Sequence, residues 1–450
     1  MSFPTDTIAA LATPVGTSAI AVLRASGPEV QALVREIFKE VPPARFARHA
    51  DYRDNRGRLV DDVLFTYFAG PNSFTGEDSL EISCHGNPFI AQKILEDLLA
   101  RGCQSAEAGE FSKRAFLNGR MDLSQAEAIM DLIHARSDRA LMAANQQLRG
   151  ALGRKMDELI ALLINILANI EAYIDFPDED LPAEDRDSIF KQLDQLLAGT
   201  RQLLATSRYG ELLRDGIRTV IVGEPNAGKS SLLNRLVGRD RALVSAEPGT
   251  TRDYLEERVI IGAHGLRLID TAGLNPLAGP LEKLGIERTL EQAESADLFL
   301  WVIDASRPIP TVVPALSRRM TFENTVVVFN KADLLGVDTH PKFTGFRTIE
   351  VSALRGSGME NLENEVTHLA DSFQVQVGSE LIAINARHAQ ALEDAQQCLE
   401  SARGKLSEEK QRELMASDLR GALEAFGRIS GKIDNEKMLD QLFASFCIGK

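Results

Sequence analysis

The chain has 450 residues, which is too many for one hydrophobic core, so two to four domains are expected. Its composition is 44% hydrophobic and 26% charged, as in globular proteins, and no apolar run is long enough to span a membrane. A formal net charge of −15 argues against broad, sequence-independent nucleic-acid binding, although a local basic patch could still bind RNA.

The four cysteines, Cys84, Cys103, Cys398 and Cys447, are scattered along the chain. Their spacing is neither that of a disulfide framework nor that of a zinc site, which fits a reducing compartment. The first six residues lack the basic and apolar regions of a signal peptide. We therefore expect a cytoplasmic protein.

Residues 1–118 have a mixed pattern of helix and strand, which predicts a small α+β domain. Strands are predicted over residues 17–24, 62–69 and 79–84, and helices over residues 29–39 and 87–100. The second helix has Asn87 as its cap and Pro88 at its first position, as is common in helices.

Residues 119–212 and 376–450 are mainly helical in pattern and are expected to form one domain that is discontinuous in sequence. Ser124–Arg139 is predicted to be one amphipathic helix, and another helix is predicted over residues 183–207. Between them lies an apolar stripe of Leu148, Leu152, Met156, Leu159, Leu163, Ile166, Ile170 and Ile174. This spacing is more typical of the core of a helical bundle than of a membrane-binding face.

Residues 213–375 alternate between strand and helix, which predicts a parallel or mixed sheet with helices on both faces. The predicted strands are Thr219–Val222, Glu257–Ile261, Leu266–Asp270, Leu298–Ile303, Thr325–Phe329 and Thr348–Val351. The simplest architecture is therefore an α/β domain inserted into the helical domain.

Gly223–Ser230 matches the pattern G-x-x-x-x-G-K-[ST] between a predicted strand and a predicted helix. Gly223 and Gly228 let the backbone curl so that its N–H groups point at phosphate oxygens. Lys229 should reach the β- and γ-phosphates, and the Ser230 hydroxyl should bind Mg²⁺. A glycine turn that matches by chance is disfavoured because four further motifs follow in order.

Those motifs are Gly249–Asp253, Asp270–Gly273, Asn330–Asp333 and Ser352–Leu354. Thr251 can complete the Mg²⁺ shell and sense the γ-phosphate from a mobile loop. Asp270 can hold Mg²⁺ through water, and the Gly273 N–H can meet the γ-phosphate.

The Asn330–Asp333 motif selects the base. The Asp333 carboxylate can accept hydrogen bonds from N1–H and the exocyclic amine of guanine, whereas adenine would leave it unpaired. Asn330 can bond the O6/N7 edge, Lys331 can lie over the ring, and the Ala353 N–H can meet O6. The five motifs together predict a GTP site.

The position after the D-x-x-G motif holds Leu274, where many GTPases have a glutamine that orients the attacking water. An apolar side chain cannot do this, so the group must come from elsewhere. The charged residues of the next stretch, Glu282, Lys283, Glu287 and Arg288, are the candidates that the pattern leaves open.

Over essentially its whole length the chain resembles the MnmE (TrmE) family of tRNA modification GTPases, which belongs with the TrmE-Era-EngA-like GTPases. Beyond the GTPase motifs, the resemblance rests on 70–78, 85–86, 109–112, 114–118, 122–128, 175–179 and the final Phe-Cys-Ile-Gly-Lys of 446–450.

The resemblance implies a tetrahydrofolate-binding and dimerisation domain over 1–118, a helical domain over 119–212 and 376–450, and a Ras-like G domain over 213–375. It also implies a homodimer that assembles into a heterotetramer with the FAD-dependent protein MnmG (GidA). Together they would add an aminomethyl or carboxymethylaminomethyl group to C5 of the wobble uridine (position 34) of certain tRNAs. The one-carbon unit would come from 5-formyl- or methylene-tetrahydrofolate, and the G domain would be activated by K⁺.

Site residues follow from the same resemblance. The K⁺ ligands are expected to be Asn226, Ser245, Glu247 and Thr250, and the acid that orients water is expected to be Glu282. The folate contacts are expected to be Arg24, Glu81, Arg120 and Lys450, and Cys447 is a candidate for carbon transfer. Further expected nucleotide contacts are Ala227, Ser231, Ala246, Pro248, Gly249, Thr271, Ala272 and Ser352.

Two other functions are alternatives to this one. A regulatory GTPase of ribosome assembly could have the same G domain, but it should carry a recognisable RNA-binding module, and none is evident. A dynamin-like mechanical GTPase would need an apolar or basic segment that inserts into membranes, and none appears in the sequence.

Overall fold

The computed structural model describes residues 6–175, 186–240, 256–270, 293–311, 314–335, 345–374, 381–406, 411–431, 439, 442–444, 446 and 449. The chain divides into two compact units. The first draws on residues 1–130, 148–184 and 401–450, and the second on residues 131–147 and 185–400. The boundaries of the four predicted domain segments stay a prediction.

The described chain contains both strands and helices. The strands are β1 (Ile8–Leu11), β2 (Ile20–Ser26), β3 (Ala47–Arg53), β4 (Leu59–Phe68), β5 (Ser79–His85), β6 (Gln104–Ser105), β7 (Ile217–Val222), β8 (Glu256–Ile261), β9 (His264–Asp270), β10 (Leu298–Asp304), β11 (Thr325–Asn330) and β12 (Arg347–Glu350). The helices are α1 (Val30–Phe38), α2 (Pro88–Ala100), α3 (Glu110–Leu117), α4 (Leu123–His134), α5 (Asp138–Leu148), α6 (Ala151–Asp175), α7 (Arg186–Ala205), α8 (Ser207–Asp215), α9 (Lys229–Asp240), α10 (Pro314–Ser317), α11 (Met359–Ser372), α12 (Ala386–Lys405) and α13 (Arg412–Ser430).

The first unit contains a six-stranded sheet in the order β3-β4-β5-β2-β1-β6. Its neighbouring strands are antiparallel except for β1 and β6. Leu23, Phe65 and Leu80 come from three of these strands and lie buried in one core with residues of α1 and α2. The Asn87 side chain accepts a hydrogen bond from the Phe89 N–H (2.9 Å), so it caps α2 as predicted. The predicted α+β fold is confirmed.

In the first unit, the long helix α6 packs against α13. The apolar stripe predicted on α6 is largely buried, at Leu152, Met156, Leu159, Leu163, Ile166 and Ile170. The contact also includes an ion pair between Arg420 Nη2 and Glu171 Oε1 (2.7 Å). The part of the stripe on α6 therefore forms a bundle core, as the spacing predicted, whereas Leu148 belongs to α5, so the prediction that it lies on the same helix was wrong.

The prediction of one helix over Ser124–Arg139 was wrong, because the chain forms α4 and then starts α5 at Asp138. The Ser137 hydroxyl accepts a hydrogen bond from the Ala140 N–H (3.3 Å), which is the contact of a helix cap. The apolar spacing runs through both helices, so the pattern alone did not reveal the break.

The second unit contains a six-stranded sheet in the order β12-β11-β10-β7-β9-β8. All neighbouring strands are parallel except β8 and β9. Separate apolar cores cover its two faces, and every residue of β10 and β11 is buried. The predicted mixed sheet is confirmed, and its six predicted strands occur within two residues of their expected ends.

Candidate functional site

In the second unit, four parallel strands end at one edge of the sheet. Gly223 follows β7, Asp304 ends β10, Asn330 ends β11, and Val351 follows β12. Because the carboxyl ends of parallel strands form the usual ligand crevice of such sheets, three of the predicted motifs, Gly223–Ser230, Asn330–Asp333 and Ser352–Leu354, lie where a ligand can touch them together.

The phosphate loop has a left-handed backbone at Asn226 (φ 67°) and Gly228 (φ 93°). A Cβ on Gly228 would lie 2.1 Å from Asn330 Nδ2, so this position requires glycine for space as well as for conformation. Helix α9 starts at Lys229, directly after the loop. The loop N–H groups and the positive end of the α9 dipole therefore lie where the phosphates are predicted to bind.

Lys229 is 7% exposed and curls back over the loop. Its Nζ lies 3.1 Å from the Gly223 carbonyl oxygen and 3.0 Å from the Glu224 carbonyl oxygen. Ser230 is exposed at the start of α9. These positions are compatible with binding of phosphates by the Lys229 ammonium and of Mg²⁺ by the Ser230 hydroxyl. Both roles stay predictions.

Asn330 joins three parts of the site. Its Nδ2 donates to the Ala227 carbonyl oxygen (2.9 Å), and its Oδ1 accepts from the Ala353 N–H (3.0 Å). The residue is 2% exposed. Its amide therefore ties the phosphate loop to the segment after β12, whereas the sequence had predicted that Asn330 and the Ala353 N–H contact the base.

Asp333 lies on a short 3₁₀ turn, Ala332–Leu334, directly after β11. The hydrogen bond from the buried Ser352 hydroxyl is the main cause that holds the pKa of Asp333 below its ordinary value. Arg355, whose Nε lies 3.5 Å from Asp333 Oδ2, acts in the same direction. The carboxylate is therefore ionised at neutral pH and can accept hydrogen bonds, as the predicted recognition of guanine requires.

Lys331 has a left-handed backbone (φ 64°), and its Nζ lies 2.7 Å from Asp304 Oδ2. Burial raises the pKa of Asp304, but hydrogen bonds from Lys331 and Ser306 more than offset this, so its pKa lies below the ordinary value. Sequence reasoning missed Asp304. The available signal was a carboxylate at the end of an otherwise apolar strand, which must find a partner when it is buried.

Part of the predicted site lies outside the described residues. These residues are Ser245, Ala246, Glu247, Pro248, Gly249, Thr250, Thr251, Thr271, Ala272, Gly273, Glu282, Cys447 and Lys450, together with the side chain of Asp270. Their roles in binding K⁺, Mg²⁺, nucleotide, folate or water stay predictions.

In the first unit, the predicted folate contacts Arg24 and Glu81 lie opposite each other on β2 and β5. Arg24 Nε and Nη2 donate to Glu81 Oε1 at 3.0 and 2.7 Å. The Arg24 guanidinium also lies over the rings of Phe74 (5.5 Å) and Phe111 (5.7 Å). Sheet register therefore brings a cation and a carboxylate together, and the exposed Phe74 ring lies beside them. These three groups can bind a flat heterocycle with a polar edge.

The third predicted folate contact, Arg120, is exposed. Its Cγ lies 3.2 Å from the place that a Cβ on Gly76 would occupy. Gly76 belongs to the same loop as Phe74, residues 70–78, so this loop contacts both Arg24 and Arg120.

Residues of the C-terminal segment pack on the same unit. A Cβ on Gly109 would lie 2.5 Å from the Phe443 carbonyl oxygen, and one on Gly449 would lie 2.5 Å from the Leu11 carbonyl oxygen. Phe443 and Phe446 are buried in a cluster with Leu123. Phe443, Phe446 and Gly449, which are near the predicted Cys447 and Lys450 in sequence, thus pack within the first unit.

Cys84 and Cys103 are poor candidates for nucleophilic chemistry. Burial is the main cause that raises the pKa of each thiol to about 11. At neutral pH both are therefore thiols rather than reactive thiolates.

Within the described ranges, no helix is long and apolar enough to cross a membrane. The same ranges contain no group of three or more His, Cys, Asp or Glu side chains arranged to hold a metal ion.

Comparisons with known proteins show the family of the chain. A family model described as "GTP-binding protein TrmE N-terminus" matches residues 7–120, and one described as "MnmE helical domain" matches residues 123–447. A tRNA modification GTPase MnmE of Opitutus terrae is 56% identical over 99% of both chains. The tRNA modification GTPase MnmE of Akkermansia muciniphila is 44% identical over the full length of both.

A solved structure of a GTP-binding protein from Sulfolobus solfataricus in complex with GDP is 20% identical, with a TM-score of 0.28. The match covers 58% of this chain and 78% of that one, and a TM-score this low does not show that the two structures are alike. The family models and the two full-length relatives decide the assignment: the chain belongs to the MnmE family of tRNA modification GTPases and is a GTP hydrolase.

Proposed function

We propose that this GTPase works with the FAD-dependent protein MnmG to place an aminomethyl or carboxymethylaminomethyl group on C5 of uridine 34 in certain tRNAs. Tetrahydrofolate supplies the one-carbon unit when it is bound. The observation that supports this most is the Arg24–Glu81 pair with its two aromatic rings, which lies in the same unit as the segment that carries Cys447 and Lys450.

The residues of the first unit fit a folate by their chemistry. The donor edge of a pterin can donate hydrogen bonds to the Glu81 carboxylate, and its flat face can stack on the exposed ring of Phe74. The exposed Arg120, together with Lys450, suits the negative glutamate tail. The protein acts as a homodimer in the cytoplasm and as a heterotetramer with MnmG.

In the second unit, Ser230 and Thr251 hold Mg²⁺, with Asp270 acting through water, and Lys229 neutralises phosphate charge. Glu282 orients the attacking water. It does so because the position at which many GTPases have a glutamine for this purpose holds Leu274 here. Hydrolysis drives a conformational change that signals to the folate site, and GTP contributes no atoms to the product.

The K⁺ site is formed by Asn226, Ser245, Glu247 and Thr250, where the ion stabilises negative charge that develops on the phosphates. GTP hydrolysis should therefore be about 10–100-fold faster in KCl than in NaCl at equal ionic strength. Asn226→Gly is a suitable variant, because glycine tolerates the φ of 67° while the amide ligand is lost. This variant should lose most of the K⁺ effect. Equal wild-type rates in the two salts would contradict the ion site.

The modification itself is tested by mass spectrometry of nucleosides from bulk tRNA of cells that lack the protein. We expect the C5-modified wobble uridine to disappear and to return when the wild-type protein is supplied. Cys447→Ser should fail to restore it, whereas Cys398→Ser, a cysteine on α12, should restore it. Unchanged tRNA in the deleted cells would overturn the proposal and favour a regulatory GTPase of ribosome assembly.

A further inference from the structure

Asp304 is the only charged residue of β10, and all seven residues of this strand are buried. It lies beside Asn330 in the register of β10 and β11. Burying a carboxylate costs free energy unless it is paired and hydrogen-bonded. The partners of Asp304 therefore indicate the role of its charge.

The partners of Asp304 divide between its two oxygens. Oδ2 lies 2.7 Å from Lys331 Nζ, and the more exposed Arg307 is farther away, with Nε at 3.5 Å. Oδ1 accepts from the Ser306 N–H (3.0 Å) and the Ser306 hydroxyl (2.6 Å). Ser306 therefore fixes the carboxylate, and the carboxylate fixes the end of the Lys331 side chain.

A lysine side chain has four rotatable bonds and would otherwise sample many rotamers. When Asp304 holds Nζ, the apolar stem of Lys331 is fixed at both ends, and the motif predicts that this stem lies over the guanine ring. The geometry points to Asp304 as a positioning residue for guanine nucleotides, which acts through Lys331 and lies outside the five GTPase motifs. Its role would not require contact with the base, because both of its oxygens already accept hydrogen bonds from protein groups.

The test compares two acids near the opposite ends of the same strand. Asp304→Asn should weaken binding of both GDP and GTP about 5–20-fold, because the ordered lysine stem contacts the base that the two nucleotides share. Asp297→Asn is the matched control: Asp297 is also buried and lies just before β10, far from the carboxyl edge. The affinity of Asp297→Asn for GDP and GTP should stay within about twofold of that of the wild type. Unchanged affinity in Asp304→Asn, or an equal loss in both variants, would overturn the inference.

A double-mutant cycle separates positioning from a general effect on the fold. In a Lys331→Met background, Asp304→Asn should change the GDP affinity by less than about twofold, because there is no ammonium left to hold. The same 5–20-fold loss in both backgrounds would mean that Asp304 acts on something other than Lys331.

Should Asp304→Asn fail to fold, Ser306→Ala takes its place. This change keeps the carboxylate and removes one of the hydrogen bonds that orient it. GDP affinity should fall about 2–5-fold, and again only when Lys331 is present. Wild-type affinity in Ser306→Ala would refute the positioning role.

Discussion

Asp333→Asn is expected to lower the affinity for GDP by about 10²–10⁴-fold and to create a preference for xanthosine diphosphate. The carboxylate accepts two hydrogen bonds from guanine, and a hydrogen bond to a charged group is worth about 1.5–3 kcal/mol. The Asn amide would instead donate to the 2-oxo group of xanthine, which replaces the amine of guanine. The measurement is the dissociation constant of each diphosphate, followed by hydrolysis rates of the two triphosphates.

The matched control is Asp371→Asn, which removes another carboxylate with a depressed pKa from the same unit. Burial works against that depression, and hydrogen bonds from His264 and Arg139 cause it. Its guanine preference should be unchanged, because Asp371 lies at the end of α11 and does not belong to the nucleotide site. If Asp333→Asn kept its preference for guanine, the base would have to be read by another group.

Arg114→Met should destabilise the first unit by about 3–5 kcal/mol, the usual loss when one partner of a buried ion pair is removed. The guanidinium is 1% exposed and pairs with Asp6 (3.0 Å), Glu77 (3.4 Å) and Glu110 (2.7 Å). Methionine fills much of the space but leaves three carboxylates without their cation. In a thermal scan we expect the transition of this unit to fall by about 6–20 °C.

Arg58→Met is the control for Arg114. Arg58 also pairs with an acid, Asp54 (2.7 Å), but its side chain is 67% exposed. Exposed pairs of this kind contribute little, so its thermal transition should stay close to that of the wild type. Equal transitions in Arg114→Met and the wild type would mean that the acidic groups find other partners.

The G-domain sheet could be predicted because its strands are short apolar runs that end in recognisable motifs. In contrast, β3 has the sequence Ala-Arg-His-Ala-Asp-Tyr-Arg, in which only Tyr52 is buried, so it showed no period of two. The start of α5 at Asp138 was hidden because the apolar spacing continues through both helices. For β3 the missing information was its tertiary packing, and for α5 it was a single hydrogen bond at the helix cap.

The residues of the candidate site also fall into two groups, those that local motifs predict and those that depend on tertiary structure. Residues of local motifs, such as Lys229 and Asp333, could be predicted to belong to the site from their spacing, and the structure places both at the carboxyl edge of the sheet. The pairing of Arg24 with Glu81 depends on the register of strands 57 residues apart, and the role of Asp304 depends on which strand neighbours β11. Neither arrangement has a signature within a short stretch of sequence.

The packing of the C-terminal segment against Gly109 has a consequence for synthesis of the chain. Phe443 is translated roughly 330 residues after Gly109, which at about 5–20 residues per second is a delay of about 15–70 s. During that time Leu123 and its neighbours lack the apolar partners that later bury them. The inserted GTPase unit can meanwhile finish its own sheet, so the nascent first unit is expected to be the part that chaperones protect and that proteases attack.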